Sequence, residues 1–318
     1  EHRLPQDGRM KLKMGSKEID VRVSILPTVH GEKAVLRLLG SGDKELNLSN
    51  LGFPDNKLSK FKKWINQPYG MIIISGPTGS GKSTTLYAAL QEIKSDNINI
   101  TTVEDPVEYQ IPGINQIQVH DAIGLSFAAA LRSILRQDPD VLLIGEIRDQ
   151  ETADIAVKFS MTGHLVFSTV HANDAPSTIS RLLDLGIPPF LLGSSLNLIM
   201  AQRLVRTIDS NEKIEDSPTN EQLQRLGISE NANQMTFYKG KPTQQNHNTG
   251  YKGRTAIHEI LEVNKSIREM IFDGKSEFEI KSQAIKNGMT PLREAGIDKI
   301  NEGVSTVEEI LRATVEDV

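Results

Sequence analysis

The chain has 318 residues, a formal net charge of −5 and no cysteine. This length is sufficient for two domains with buried cores, and the lack of cysteine excludes disulfide frameworks, thiolate zinc sites and cysteine nucleophiles. The charge is spread without a basic stripe, so the sequence gives no sign of a surface that grips a phosphate backbone, and nucleic acid is not the favoured partner.

Apolar runs along the chain are short. The longest span residues 71–74, 141–144 and 165–167, whereas a membrane helix needs about 20 apolar residues. We therefore expect a soluble protein without direct membrane insertion. The chain begins with Glu1 and has no charged-then-apolar leader, so we also expect a fragment of a longer protein.

Residues 1–42 are predicted to be the end of a small N-terminal α/β domain. Apolar and polar side chains alternate over residues 10–39, most clearly over 19–25, which is typical of half-buried antiparallel strands. Residues 40–50 contain Gly-Ser-Gly-Asp and few apolar side chains, a composition that favours a flexible connection between domains. We place a linker at residues 43–56.

Residues 57–208 alternate short apolar runs with helical patterns, an order that predicts a parallel sheet covered by helices. After Asp174 the strand signal fades, and the remainder is predicted to be helical. A polar segment at residues 209–250 interrupts these helices and is expected to be an exposed insertion. Apolar residues at a spacing of three and four resume at Ala256, so residues 251–318 are predicted to form a helical C-terminal subdomain.

The strongest chemical signal is a glycine-rich motif that matches G-x-x-x-x-G-K-[ST] between an apolar run and a helical pattern. Its glycines allow consecutive backbone N–H groups to turn toward phosphates. Lys82 supplies positive charge for the β- and γ-phosphates, and the Ser83 hydroxyl is a ligand for Mg²⁺. We predict a phosphate loop that consists of Gly76, Pro77, Thr78, Gly79, Ser80, Gly81, Lys82 and Ser83.

Acidic residues follow two other apolar runs. Glu146 ends one of them and is predicted to reach Mg²⁺, partly through water. Glu104 and Glu108 follow residues 98–103, at the carboxyl edge of the predicted sheet. Either one is a candidate for the carboxylate that orients or deprotonates the attacking water. The alternative for this cluster is a solvated turn around Pro106.

Two histidines, His164 and His171, bracket the apolar run at residues 165–170, so one is expected at each end of a strand. They lie seven positions apart with no third ligand nearby, which argues against a metal site. A histidine beside a core strand can be a structural hydrogen-bonding group or a catalyst. His171 is the better catalytic candidate.

Four segments together resemble, in order, the signature boxes of the secretion ATPase superfamily: GPTGSGKST, TVEDPVEY, RQDPDVLLIGEIRD and TGHLVFSTVHANDA. Three others resemble its type II secretion and type IV pilus assembly branch: RLPQDGR, RVSILPTVHGEKAVLRLL and GYKGRTAIHEIL. The resemblance covers most of the chain. It implies an α/β protein with a RecA-like P-loop ATPase core on a parallel-rich central sheet, preceded by a small α/β domain and followed by a helical subdomain.

The resemblance also implies roles for individual residues. It extends the phosphate loop to Thr84. The catalytic residues that it implies are Glu104, Glu108, Glu146, His164, His171, Arg22 and Arg37. Arg22 and Arg37 stand where the family sends two arginines from the N-terminal domain toward the γ-phosphate. The alternative interpretation is that Arg22 and Arg37 are solvent-exposed arginines of two strands. Arginines that resemble those near the core surface and subunit contacts are Arg132, Arg136 and Arg148.

The polar insertion departs from the family pattern. Assembly ATPases usually carry two Cys-x-x-Cys pairs there that bind zinc, whereas this chain has Asp209, Glu212, Thr243 and Asn246 at those places. No zinc site is expected from these residues. Without thiolates to clamp its ends, the insertion must be held by packing or remain mobile. Its length also separates this chain from retraction ATPases, which run almost directly into the final strand.

As a function, the resemblance implies an ATP- and Mg²⁺-dependent motor for type IV pilus assembly or type II secretion. Such a motor is a cytoplasmic homohexamer, attached peripherally to the inner membrane through a platform protein and a cytoplasmic-domain adaptor. ATP would bind between the N-terminal domain and the core, and Arg22 and Arg37 would close on the γ-phosphate as the linker bends. The alternatives are a nucleic-acid translocase, a non-hydrolysing nucleotide-dependent scaffold and a small-molecule kinase.

Overall fold

The computed structural model describes residues 1–15, 17–39, 46–230 and 232–314. Its first part is an antiparallel sheet of three strands, β1 (Gln6–Met14), β2 (Lys17–Thr28) and β3 (Gly31–Leu39). The antiparallel strands predicted from the alternation are therefore present. Val21 is fully buried, but Leu36 and Leu38 on the same face are more than half exposed, so the strands are less buried than predicted.

The larger part of the chain is built around a seven-stranded sheet. Its first elements are α1 (Asp55–Ile65), β4 (Gly70–Ser75), α2 (Lys82–Ile93), β5 (Ile100–Glu104), β6 (Asn115–Gln118), α3 (Phe127–Ile134), β7 (Val141–Ile144), α4 (Gln150–Met161), β8 (Leu165–Val170), α5 (Ala175–Asp184), α6 (Pro189–Ser195) and β9 (Leu196–Ile208). They are followed by β10 (Lys213–Asp216), α7 (Asn220–Leu226), β11 (Phe237–Gly240), β12 (Tyr251–Glu262), α8 (Lys265–Phe272), α9 (Glu277–Lys286), α10 (Leu292–Asn301) and α11 (Val307–Ala313).

The central sheet has the strand order β12-β9-β4-β8-β7-β5-β6. Strand β12 runs antiparallel to β9, and the other neighbouring pairs are parallel. Every position of β4 and β8 is buried because helices cover both faces of the sheet. Ile72 and Ile74 pack into the core beneath α1 and α2, whereas Met71 and Ile73 pack into the core on the other face. The predicted parallel-rich sheet covered by helices is confirmed.

Two strands, β9 and β12, lie where helices were predicted. The helical prediction for Ala256 and Ile257 is wrong, because both residues are buried in β12. A helix face and a strand covered on both sides each contain adjacent apolar residues, so their spacing alone does not distinguish the two. The central sheet consequently extends to Glu262, beyond the predicted end of the core at residue 208.

The predicted linker, residues 43–56, begins with three residues outside the described ranges. Its described part is packed. Leu48 and Phe53 are buried in the core shared with α1 and α2, and Phe53 stacks on the imidazole of His258 with 3.7 Å between ring centroids. This segment therefore differs from the flexible connection that its polar composition predicted, because its few apolar side chains are all used in packing.

The described residues of the insertion, 209–230 and 232–250, pack against the rest of the chain. β10 and β11 form an antiparallel pair. Leu223 and Leu226 of α7 and Phe237 of β11 are buried in the main core. The expectation of an exposed insertion is therefore wrong at these apolar positions, which are too few to stand out in a polar sequence but are sufficient to anchor the segment.

A buried amide joins the two ends of this insertion. The Asn246 side chain is 2% exposed; its Nδ2 donates to the carbonyl of Lys241 (2.9 Å) and to Oδ2 of Asp209 (3.4 Å). Its Oδ1 accepts from the backbone N–H groups of Thr243 (2.8 Å) and Gly250 (3.1 Å). The alternatives for the insertion were that it is held by packing or remains mobile, and its described residues show packing together with hydrogen bonds.

Candidate nucleotide-binding site

The glycine-rich loop joins the buried strand β4 to helix α2. Gly76, Gly79 and Gly81 have φ values of 146°, 81° and 90°, a backbone region that L side chains rarely adopt. A Cβ atom on Gly76 would also lie 2.5 Å from the carbonyl oxygen of Gln202 and 2.7 Å from Oγ of Ser80. Glycine is therefore required here both by conformation and by space.

Polar groups of the loop are available for a phosphate. Lys82 Nζ donates to the carbonyls of Gly76 (2.7 Å) and Pro77 (3.1 Å), which keeps the ammonium over the loop. Burial lowers the pKa of Lys82, while the nearby Glu146 carboxylate opposes that shift. The buried Ser80 Oγ has no hydrogen-bond partner within the described residues. This donor set, with α2 starting from the loop, fits an anionic phosphate.

Two residues of β9 that the sequence motifs did not identify complete the loop's surroundings. The buried Gln202 side chain donates from Nε2 to the Ser80 carbonyl (2.8 Å) and accepts at Oε1 from the Thr85 hydroxyl (2.9 Å). Arg203 Nη2 donates to the carbonyl of Asn173 (2.7 Å), and burial lowers the pKa of this arginine. Both lie in a strand that the sequence predicted as helix, so no pattern pointed to them.

Glu146 follows β7 and lies at the same edge of the sheet as the loop. Its carboxylate forms an ion pair with Arg148, and one oxygen is 3.7 Å from Nε2 of His171. The backbone here is fixed by a hydrogen bond from the Ile147 N–H to the Thr169 carbonyl (3.0 Å). The structure thus brings Glu146 and His171 together, next to the ammonium whose pKa Glu146 influences.

Glu104 ends β5 and is 4% exposed. Its carboxylate accepts hydrogen bonds from the hydroxyls of Thr102 (2.6 Å) and Tyr87 and, at 3.5 Å, from the Gln116 amide. Burial raises the pKa of Glu104 although these bonds favour its charged form, and burial also raises the pKa of Tyr87. A buried carboxylate that accepts from two buried hydroxyls and an amide is better suited to fixing the strand end than to activating water.

Glu108 lies in the turn after β5 and is more open. Its backbone N–H donates to the Tyr87 hydroxyl (3.2 Å), and its Oε2 accepts from Nη2 of Arg22 at 2.9 Å. Arg22 belongs to β2 and lies directly opposite Arg37 of β3 in the strand register, so the two arginines share one face. Arg37 is exposed.

His164 lies at the opposite end of β8 from His171. The backbone N–H of Gly70, at the start of β4, donates to the His164 carbonyl (3.1 Å), and Nδ1 of His164 is 3.1 Å from the Phe159 carbonyl and from the Thr162 hydroxyl. A six-residue strand separates the two histidines by about 20 Å. This placement argues against a catalytic role for His164 in the site of its own chain.

The other arginines named from the sequence lie near the surface. Arg132 pairs with Glu151 of α4, and Arg136 donates to the Arg132 carbonyl (3.0 Å). Both are exposed.

A cleft of about 610 Å³ opens beside the phosphate loop and is lined by the loop itself, by His171 and by polar residues of α5 such as Arg181.

No group of three or more His, Asp or Glu side chains in the described ranges is arranged to hold a metal ion. Among the helices whose bounds are given above, none combines the length and the hydropathy of a membrane span.

A family model described as "Type II/IV secretion system protein" matches residues 1–312, nearly the whole chain. The chain belongs to this family. The α/β fold described above is therefore that of a secretion system protein.

Relatives of this secretion system protein come from both kinds of machine. The type IV pilus assembly ATPase PilB of Myxococcus xanthus is 49% identical over 320 residues, which cover 100% of this chain and 56% of that protein. The type II secretion system ATPase E of Vibrio cholerae is 45% identical over 316 residues, which cover 99% of this chain and 62% of that protein. The chain thus spans about six tenths of the length of these two relatives.

Two solved structures share the fold. The crystal structure of the pilus retraction motor PilT with bound ADP aligns with a TM-score of 0.72 at 27% identity and covers 99% of this chain and 79% of that chain. The Legionella pneumophila ATPase DotB aligns with a TM-score of 0.70 at 21% identity and covers 96% and 76%. The RecA-like core predicted for this secretion system protein is confirmed.

Proposed function

We propose that this chain is the ATP-hydrolysing motor portion of a type IV pilus assembly or type II secretion system. The observation that carries the proposal is the loop between β4 and α2, in which three glycines adopt positive φ, the Ser80 hydroxyl has no described partner and Lys82 rests on loop carbonyls. Phosphate oxygens can accept from these donors and replace the carbonyls as partners of Lys82. The names of the relatives support the same conclusion.

Ser83 and Glu146 are the residues that would hold Mg²⁺, partly through water. Ser83 is exposed at the start of α2, and Glu146 lies close enough to Lys82 to oppose the effect of burial, which lowers the pKa of this lysine. A hydroxyl and a carboxylate are oxygen ligands of the kind that this ion prefers. When bound, Mg²⁺ neutralises charge that develops on the β- and γ-phosphate oxygens.

We assign the orientation or deprotonation of the attacking water to Glu108 rather than to Glu104. The Glu104 carboxylate is buried and accepts three hydrogen bonds, whereas the Glu108 side chain is 37% exposed and accepts from Arg22. In the present arrangement Arg22 is therefore hydrogen-bonded to Glu108, the carboxylate that must receive the proton. The γ-phosphate is a competing partner for this guanidinium.

This competition supports a closing step on nucleotide binding. Transfer of Arg22 from Glu108 to the γ-phosphate would bring its strand partner Arg37 toward the same anion, and it would free Glu108 for water. ATP offers the γ-phosphate and ADP does not, so the two nucleotides bind the closed state with different free energies, which is the requirement for a motor stroke. We propose that His171 responds to the same phosphate, because it lies 3.7 Å from Glu146 and lines the cleft beside the phosphate loop.

The whole machine is proposed by analogy with the relatives that the chain resembles. A homohexamer would act from the cytoplasm and be attached to the inner membrane through a platform protein and a cytoplasmic-domain adaptor. Both pilus assembly and type II secretion relatives match at similar identity, so the proposal covers either machine.

Steady-state ATP hydrolysis tests the proposal, with the mass of the chain measured over the same concentration series. We expect Mg²⁺-dependent turnover that rises as oligomers form. Glu108→Gln should lower kcat by at least about a hundredfold and leave ATP binding nearly unchanged, because it removes a proton acceptor without touching the phosphate loop. Lys82→Ala should weaken binding itself. Turnover by a monomer that persists in Glu108→Gln would refute both the base and the ring motor.

A further inference from the structure

We propose that Gln202 is a positioning residue for the phosphate loop; this inference rests on the proposed binding of ATP there. Gln202 is 2% exposed, and its amide uses both ends. Nε2 donates to the Ser80 carbonyl within the loop at 2.8 Å, and Oε1 accepts from the Thr85 hydroxyl of α2 at 2.9 Å. One side chain of β9 therefore connects the loop with the first turn of the helix that follows it.

The hydrogen bond from Gln202 to the Ser80 carbonyl fixes the orientation of a peptide group within the phosphate loop. In a trans peptide the C=O and the following N–H point in opposite directions, so a bond that holds the Ser80 carbonyl toward Gln202 directs the N–H of Gly81 away from it. That N–H is one of the loop donors on which phosphate binding depends. Gln202 consequently sets the direction of a phosphate-binding group that it does not itself contact.

The surroundings are built to keep this amide in place. β9 pairs with β4 on one side and β12 on the other, and Gln202 lies opposite His258 in the β12 register. A Cβ on Gly81 would approach Nε2 of Gln202 to 2.8 Å, so the glycine provides the room that the amide needs. A side chain fixed on a central strand is a more exact support for a loop than another loop residue.

Only an amide meets both demands at this position. Glutamate keeps an acceptor for Thr85 but places a second acceptor against the Ser80 carbonyl, and methionine has similar length with no N–H donor and only a weakly accepting thioether. If Gln202 merely satisfies buried groups, its replacement costs stability and leaves ATP binding unchanged. If it positions the loop, ATP affinity falls even in a variant whose stability is restored.

The experiment compares Gln202→Met, Gln202→Glu and the double variant Gln202→Met/Thr85→Val in ATP titrations, steady-state kinetics and thermal unfolding. We expect Kd and KM for ATP to rise about tenfold or more in all three, a change of about 1.4 kcal/mol, with a smaller fall in kcat because ground and transition states share the loop contacts. In Gln202→Met the buried Thr85 hydroxyl loses its acceptor on Gln202 and keeps only the longer bond to the Gly81 carbonyl (3.2 Å). The double variant removes this hydroxyl, so it should recover part of the lost Tm but none of the lost affinity.

Asn246→Leu is the matched control. It removes another buried amide, in the insertion, and should lower Tm without changing KM. If the Gln202 variants keep the wild-type Kd and KM while losing Tm as Asn246→Leu does, Gln202 is structural and the inference is overturned; Gln202→Glu decides the matter if the methionine variants do not fold. If the wild-type chain neither binds nor hydrolyses ATP, the proposed function itself fails, which is a different result.

Discussion

Two consecutive residues of β12, His258 and Glu259, are buried ionisable groups with opposite linkage to folding. The His258 ring nitrogens have no hydrogen-bond partner in the described structure, and burial, with Lys57 nearby, lowers its pKa to about 3. Burial raises the pKa of Glu259 to about 7, although the N–H groups of Ala175 and Leu292 donate to its carboxylate.

The signs of the two effects follow from the direction of each pKa shift. The unfolded chain protonates His258 near its ordinary pKa of 6.5, so stability from neutral His258 is lost as the pH falls from about 6.5 toward 3. The folded chain protonates Glu259 above its ordinary pKa of 4.5, so stability is lost as the pH rises from about 4.5 to 7. Between these ordinary values the slopes oppose each other, at about 1.4 kcal/mol per pH unit each.

Removing one group should therefore expose the slope of the other. Relative to wild type, the free energy of unfolding of Glu259→Gln should rise by about 2 kcal/mol between about pH 5 and pH 6.5, and that of His258→Phe should fall by a similar amount. Urea unfolding at both pH values measures the two differences. Profiles parallel to wild type in both variants would show that neither group titrates in this way.

At the scale of elements, the sequence predicted the parts whose pattern is unambiguous. Fully apolar runs such as β4 and β8, which alternate with helical segments, have few readings other than parallel strands. β9 and β12 were predicted as helices because parts of both strands are apolar on both faces, a pattern that helices share. Their pairing, which joins residues far apart in the sequence, leaves no local signal. The role of Gln202 was not predicted either, because a lone glutamine becomes informative only when β9 places it against the phosphate loop.

The insertion is held both by its buried apolar side chains and by the hydrogen bonds of the buried Asn246 amide. Asn246→Ala should lower the free energy of unfolding by about 1 to 3 kcal/mol, because it leaves buried backbone groups without their partners. Treatment of the wild-type chain with a chelator should leave Tm unchanged when no nucleotide is present, and metal analysis should find no bound zinc. A chelator-induced fall in Tm would reveal a stabilising metal and contradict this account of the insertion.

At the scale of the whole molecule, the ion pair that joins the β1–β3 sheet to the central sheet consists of two residues with proposed catalytic roles. The β1–β3 sheet reaches the central sheet through the ion pair of Arg22 with Glu108, at 2.9 Å. Two proposed functions, γ-phosphate recognition and water activation, thus occupy the two halves of one ion pair. Residues that act as a unit have non-additive effects on catalysis, and this makes the arrangement testable.

Arg22→Ala should lower kcat by about a thousandfold and weaken the binding of ATP but not of ADP, because the guanidinium closes on the γ-phosphate when ATP binds and stabilises it during transfer. Arg37→Ala should act in the same direction, and Lys33→Ala, on the same strand as Arg37 and exposed, should retain wild-type turnover. Single-turnover rates of Arg22→Ala/Glu108→Gln should match those of the slower single variant, because the second substitution removes nothing further from a unit that the first has already disabled. If both arginine variants keep normal turnover, the closure does not occur; if the two losses multiply, Arg22 and Glu108 act independently, and the ion pair between the sheets is only a structural contact.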